Sequence, residues 1–176
     1  MKIIDLSQSL YNKMPVYPGD PEVKIQQIHS LAKEGWRLRY LQFASHTGSH
    51  VDAFSHMDEK GKTLDQMPLS KFMGPAQRVK ITDIFPKNIG LAFVKAKLDL
   101  DLYPKIKVAQ PPFILINKDC EFSVAMERKL LQNEIVTVTD LVNLEKLPLG
   151  KQFMFYGLPL KIKDGDGSPI RAVAVL

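Results

Sequence analysis

Twelve prolines are scattered along the 176 residues of this chain. Because proline kinks or ends a helix, they cut the sequence into pieces too short for a helical bundle. The stretch Pro15-Val16-Tyr17-Pro18-Gly19-Asp20-Pro21 can only be turn and loop. Between such breaks the chain reads mainly as strands. Residues 2–6 form a first one, and 22–30 and 36–44 alternate in the period of two that a half-buried strand requires. In the latter, Trp36, Leu38 and Tyr40 fall on one side and Leu41 and Phe43 on the other. Further strands are predicted from Arg78 to Ile84, from Phe113 to Ile116, and over 134–138, 152–162 and 170–176. The segment Asp164-Gly165-Asp166-Gly167-Ser168-Pro169 reads as the turn joining the last two. Helices are few. Ser123 is placed to cap one over 124–132, and Thr139 or Asp140 to start a short one reaching about Lys146. Two or three helices with eight or so strands predict an α/β fold with a largely antiparallel or mixed sheet, in a single domain spanning 1–176.

Composition narrows the function. A hydrophobic fraction of 45% and a charged fraction of 24% suit one globular core and exclude disordered or fibrous chains. No apolar stretch reaches the roughly 18 residues of a membrane span, and Asp5 comes too early for a signal peptide. The one cysteine, Cys120, excludes a disulfide framework and any multi-cysteine zinc site, so a reducing cytoplasm is the expected setting. The net charge of +5 is spread out, its densest groups being the pairs Lys95/Lys97 and Lys161/Lys163. A nucleic-acid binder concentrates its basic residues on one face, so neither nucleic acid nor membrane is expected as a partner.

Three of the four histidines fall in Ser45-His46-Thr47-Gly48-Ser49-His50-Val51-Asp52-Ala53-Phe54-Ser55-His56. On a helix, Asp52 would point away from His50, and Thr47, Gly48 and Val51 disfavour helix there. In an extended chain His46, His50, Asp52 and His56 all point to the same side. His50 and Asp52 would then be about 7 Å apart at Cα, close enough to converge on one ion. His46 would lie about 13 Å from His50 on a straight strand, so a bend is needed, and Gly48 is placed to make it. Two imidazoles and a carboxylate with an open fourth position is the usual composition of a catalytic zinc site. His56 is either a fourth ligand or a free base.

At these residues the sequence resembles the metal-dependent cyclase family, whose best-known members are bacterial kynurenine formamidases. The family motif, approximately His-x-Gly-Thr-His-x-Asp-Ala-Pro-x-His, stands here as His46 to His56, with Ser49 for the Thr and Phe54 for the Pro. Met14 to Pro21 resembles the family's N-terminal Pro-Gly-Asp-Pro loop. Leu158 to Ile162 with Asp166 to Ala174 resembles its C-terminal hairpin. The resemblance implies a swivelling β/β/α fold, a homo-oligomer (dimer or tetramer) and a small-molecule substrate. It makes His46, His50 and Asp52 ligands of one zinc, with manganese as the alternative, and His56 the catalytic acid/base. Tyr17 matches a position where the family often carries an aromatic residue beside the substrate.

Two-metal members take further ligands from a His and a Glu twelve residues apart, positions that align here with Glu127 and Thr139. Thr139 is a poor ligand and reads as a helix N-cap, and Glu127 is either a metal ligand or, the preferred reading, an exposed helix residue, so one ion is expected rather than two. The chain is also shorter than usual for the family, between about Asn88 and Met126. The expected activity is hydrolysis of a small amide, a formamide such as an N-formylkynurenine-like arylamine, or a cyclic ester. In it, metal-activated water attacks and His56 moves the proton. The competing expectation is a non-catalytic member that binds a small molecule or metal on the same fold.

Overall fold

Short β-branched and aromatic runs between glycine and proline breaks pair into one nine-stranded sheet in the computed structural model, which describes residues 1–176. The first half contributes β1 (Ile3–Asp5), β2 (Lys24–His29), helix α1 (Leu31–Glu34), β3 (Leu38–Gln42), β4 (His50–Asp52), β5 (Met73–Arg78) and β6 (Gly90–Phe93). After β7 (Lys97–Leu98) come α2 (Tyr103–Ala109), β8 (Phe113–Asn117), β9 (Glu121–Phe122), α3 (Val124–Leu131) and β10 (Val136–Leu141). The chain ends with β11 (Gln152–Tyr156), β12 (Gly167–Pro169) and β13 (Val173–Val175).

The sheet runs β1-β13-β11-β5-β6-β8-β10-β4-β12. Its centre, β5-β6-β8-β10, is parallel and its flanks are antiparallel. Parallel neighbours need crossovers, which α2 supplies between β6 and β8 and α3 between β8 and β10. Both faces of the centre are therefore buried. In β8, Phe113 and Leu115 join the cluster holding Val51, Phe72, Val138 and Phe155, while Ile114 and Ile116 join Leu91, Ile106, Met126 and Leu130 beneath the helices. The sheet is strongly curled. Strand β12 is last in the order and β13 second, yet only residues 170–172 separate them, so the end of β12 and the start of β13 lie within about 14 Å.

The predicted fold class, a mixed sheet with few helices, is the one observed, but several elements differ. The strand predicted over Arg78–Ile84 lies earlier, at Met73–Arg78, followed by turns. Gly74 and Pro75 disguise it, and Pro75 is tolerated because β6 pairs only with Ala76 to Arg78. No helix starts at Thr139 or Asp140. Both residues lie in β10, where Asp140 has φ 56° at a bulge, and only a 3-10 turn, Leu144–Lys146, follows. The strand predicted over 152–162 stops at Tyr156, before Gly157 and Pro159. The Asp164–Pro169 stretch is no simple hairpin turn, since Gly167–Pro169 forms β12 against β4. Helix α2 escapes the sequence reading because Pro104 looks like a breaker, whereas it sits in the helix's first turn, where its missing N–H costs nothing.

Candidate active site

Gly48 makes the bend that the histidine spacing demands. Its φ is +63°, and a Cβ there would stand 2.7 Å from Leu10 Cδ2. The chain then enters β4, which lies between β10 and β12. Across those ladders His50 faces Thr139 and Pro169, and Asp52 faces Thr137 and Gly167. A 3-10 turn, Phe54–His56, brings His56 back beside His46, with ring centroids 4.0 Å apart.

The four side chains meet around the carboxylate of Asp52, which is wholly buried. Its Oδ1 is 2.8 Å from His46 Nδ1 and 3.3 Å from His50 Nε2, and its Oδ2 accepts from the Thr137 hydroxyl at 2.7 Å. His50 Nδ1 lies 2.7 Å from the Gly48 carbonyl, which can only accept, so Nδ1 carries a proton. In the neutral ring the lone pair is then on Nε2, toward Asp52. The Thr139 hydroxyl is 2.9 Å from that nitrogen. On the outer side, Asp166 Oδ2 is 3.0 Å from His46 Nε2 and 3.8 Å from His56 Nδ1.

Burial disfavours charge on His50, but the adjacent Asp52 carboxylate outweighs it and carries the imidazole up to about 9. His46 is raised for the same reasons, burial being overcome by Asp52 and Asp166. Burial also opposes the charge on Asp52, yet His50 and His46 hold it well below the ordinary carboxylate range. His56 moves the other way, because burial and the charge of His46 both lower it. Glu127 is pushed up to about 7 by burial and by Asp52.

Three sets of donor atoms each fall within 4.8 Å of one another: His46/His50/Asp52, His46/His56/Asp166, and Asp52/His56/Glu127. The first set fits a metal ion by its chemistry. It offers two imidazoles and a carboxylate, and backbone hydrogen bonding directs the His50 lone pair inward. These residues floor a cavity of about 720 Å³, with Tyr17 on its rim and Ile116, Phe122 and Val124 on its apolar wall. Tyr17 is 70% exposed.

Two sequence readings are corrected here. Glu127 is not an exposed helix residue, because α3 turns it into the cavity toward Asp52 and His56. Thr139 caps no helix; it is a buried strand residue whose hydroxyl sits on His50. Asp166 and Thr137 were missed altogether. Asp166 lies in a stretch that reads as a turn, and nothing local marks Thr137, which is brought to Asp52 by strand pairing across 85 residues.

The Cyclase family model matches residues 4–139. A kynurenine formamidase of Salinibacter ruber is 31% identical over 207 aligned positions, covering 98% of this chain and 97% of that protein. One from Bacillus anthracis is 26% identical, with coverage of 98% and 96%. The 207 positions outnumber the 176 residues of the chain, so it lacks segments that the Salinibacter protein carries. Isatin hydrolase A of Labrenzia aggregata, solved with benzyl benzoate, shares the fold. Its TM-score is 0.80 at 19% identity, with coverage of 98% of this chain and 93% of that one. The chain belongs to the Cyclase family.

Proposed function

We propose that this protein hydrolyses the carbon–nitrogen bond of a small formamide or amide, with N-formyl arylamines as the substrate class. In this reading His46, His50 and Asp52 hold one zinc ion, or alternatively manganese, and His56 is the acid/base. The observation that carries it is the convergence of two imidazoles and a fully buried carboxylate on the floor of a substrate-sized cavity. The family relatives named kynurenine formamidases supply the substrate class.

When bound, such an ion acidifies a water molecule toward neutral pH and polarises a carbonyl group. His56, held below the usual histidine range, is neutral at pH 7 and can accept the proton that the attacking water loses. As the new C–O bond forms and the C–N bond breaks, the same imidazole returns that proton to the leaving nitrogen, giving a carboxylic acid and an amine. Asp166 faces both His56 and His46 and restrains their rings. Tyr17, on the rim, is assigned to the aromatic part of the substrate. One ion is assigned rather than two. Of the two positions that supply a second site, Thr139 is a poor ligand and its hydroxyl is engaged by His50. Besides substrate, the partner assigned is a second copy of the chain.

The test is turnover of N-formyl arylamines by metal-loaded wild type and His56→Ala. The variant should keep its metal and lose about 10²- to 10⁴-fold in rate. Normal turnover by His56→Ala would overturn its role. A metal-loaded wild type inert toward formamides, amides and lactones would overturn the hydrolase reading in favour of a binding protein.

A further inference from the structure

Among the residues that line the cavity, Lys118 is the only lysine or arginine. It stands just past the C-terminal end of β8, in the parallel centre of the sheet, where open α/β sheets place their ligands. The turn that carries it is pinned. Lys118 N–H donates to the Leu141 carbonyl, Asp119 N–H to Asn117 Oδ1 and Cys120 N–H to the Asn117 carbonyl. With those donors engaged, the Lys118 ammonium is the free one. Lys71 and Lys105 commit their ammonium groups to backbone carbonyls, whereas Lys118 enters no such bond and none of the chain's ion pairs.

Outside the histidine cluster, the other charged residues of the lining are Asp20, Glu127 and Asp140. A negative group on a ligand is therefore disfavoured along that wall and accepted beside Lys118, which fixes the ligand's orientation. Depth separates the two ends of the site. Asp52 is wholly buried on the floor, whereas Lys118 is exposed where the cavity meets solvent. A cavity of about 720 Å³ is also of the size that houses a drug-sized ligand, so a bare N-formyl arylamine leaves its outer part unfilled.

We propose that Lys118 is a specificity-determining residue, selecting amide substrates that carry a carboxylate at the end remote from the scissile carbon–nitrogen bond. A carboxylate suits the position better than a phosphate does. One ammonium on a turn with no spare N–H matches a single negative charge, whereas phosphates are held by arginine forks or by several backbone donors. Because the pair forms at an exposed position, its contribution is modest and screened by salt. The proposal rests on the hydrolase reading above and names the substrate class of the same site.

The test compares two formamides of like shape, 4-(formylamino)phenylacetate and the neutral N-formyl-4-methylaniline, on metal-loaded wild type and Lys118→Met. Wild type should favour the acid, and the ratio of the two kcat/KM values should fall about 5- to 10-fold in the variant, with the loss in KM. Lys118→Arg should restore the ratio, and added salt should lower it in wild type. An unchanged ratio in Lys118→Met overturns the proposal. A second measurement needs no turnover: calorimetric binding of the corresponding amines, 4-aminophenylacetate and 4-methylaniline. Wild type should bind the acid more tightly, and Lys118→Met should lose that preference. A preference that is absent in wild type, or that survives in the variant, overturns the proposal as well. If wild type hydrolyses neither formamide, the hydrolase reading fails, and the binding comparison still decides the role of Lys118.

Discussion

The imidazole of His46 packs against Gly167, 121 residues further along the chain. A methyl group on Gly167 would lie 2.8 Å from His46 Nδ1 and 3.0 Å from Nε2. Gly167 is also the ladder partner of Asp52, so the space that its missing side chain leaves is where His46 reaches that carboxylate. Glycine is needed there for room, since its φ is not in the left-handed region.

Gly167→Ala should therefore leave the fold intact and displace His46. Zinc affinity, read by competition with a chromophoric chelator, should fall about 10- to 100-fold, the range seen when ligand-supporting contacts are removed. Unchanged affinity would show that His46 is not held by this contact.

Thr137 tests the other side of Asp52. Its hydroxyl donates to Oδ2 in a wholly buried setting, so Thr137→Val keeps the shape and strands a carboxylate oxygen. Denaturant unfolding of the metal-free protein should show a loss of about 1–3 kcal/mol. The same variant should bind zinc more weakly, because the hydroxyl fixes the ligand's orientation.

The charges predict a pH dependence with a defined sign. In the metal-free protein His50 is raised to about 9, above the unfolded value of about 6.5. Its contribution is complete below the unfolded value and is lost as pH rises through the folded one, a decline on the order of 3 kcal/mol. Glu127, raised to about 7, acts in the same direction at lower pH, since its ionisation is disfavoured in the fold. Metal-free protein should thus lose stability steadily from weakly acid to alkaline pH. Zinc affinity should rise over the same range, because the His50 proton must leave before Nε2 can bind. Calorimetry in two buffers of different ionisation enthalpy should show proton release at pH 7.5, and its absence would contradict the charged state assigned to His50.

Legibility in the sequence followed locality. His46, His50 and Asp52 lie within seven residues, so an extended backbone with one bend was enough to bring them to one side, and Gly48 supplied the bend. The helix over 124–131 was marked by its Ser123 cap, whose hydroxyl accepts from Met126 N–H. Glu127 was misread because helical spacing does not say which face of α3 looks into the cavity. Thr139 carried the local signature of a cap, but pairing with β4 overrode it. Asp166 and Gly167 hid in a sequence that resembles an ordinary turn, and their role arises only because the sheet curls until β12 meets β4. The strand read over 36–44, with Trp36, Leu38 and Tyr40 on one side and Leu41 and Phe43 on the other, forms over Leu38–Gln42, but its alternation does not correspond to a buried face, since all five of its residues are exposed.

The central claim is that His46, His50 and Asp52 form a metal site. Elemental analysis of untagged wild type and His50→Ala, side by side, tests it most directly. The account predicts about one zinc or manganese ion per chain in wild type and none in the variant. Two ions per chain would contradict the single-ion assignment and bring Glu127 into a second site. A wild type that takes up no metal even from excess zinc would contradict the account altogether.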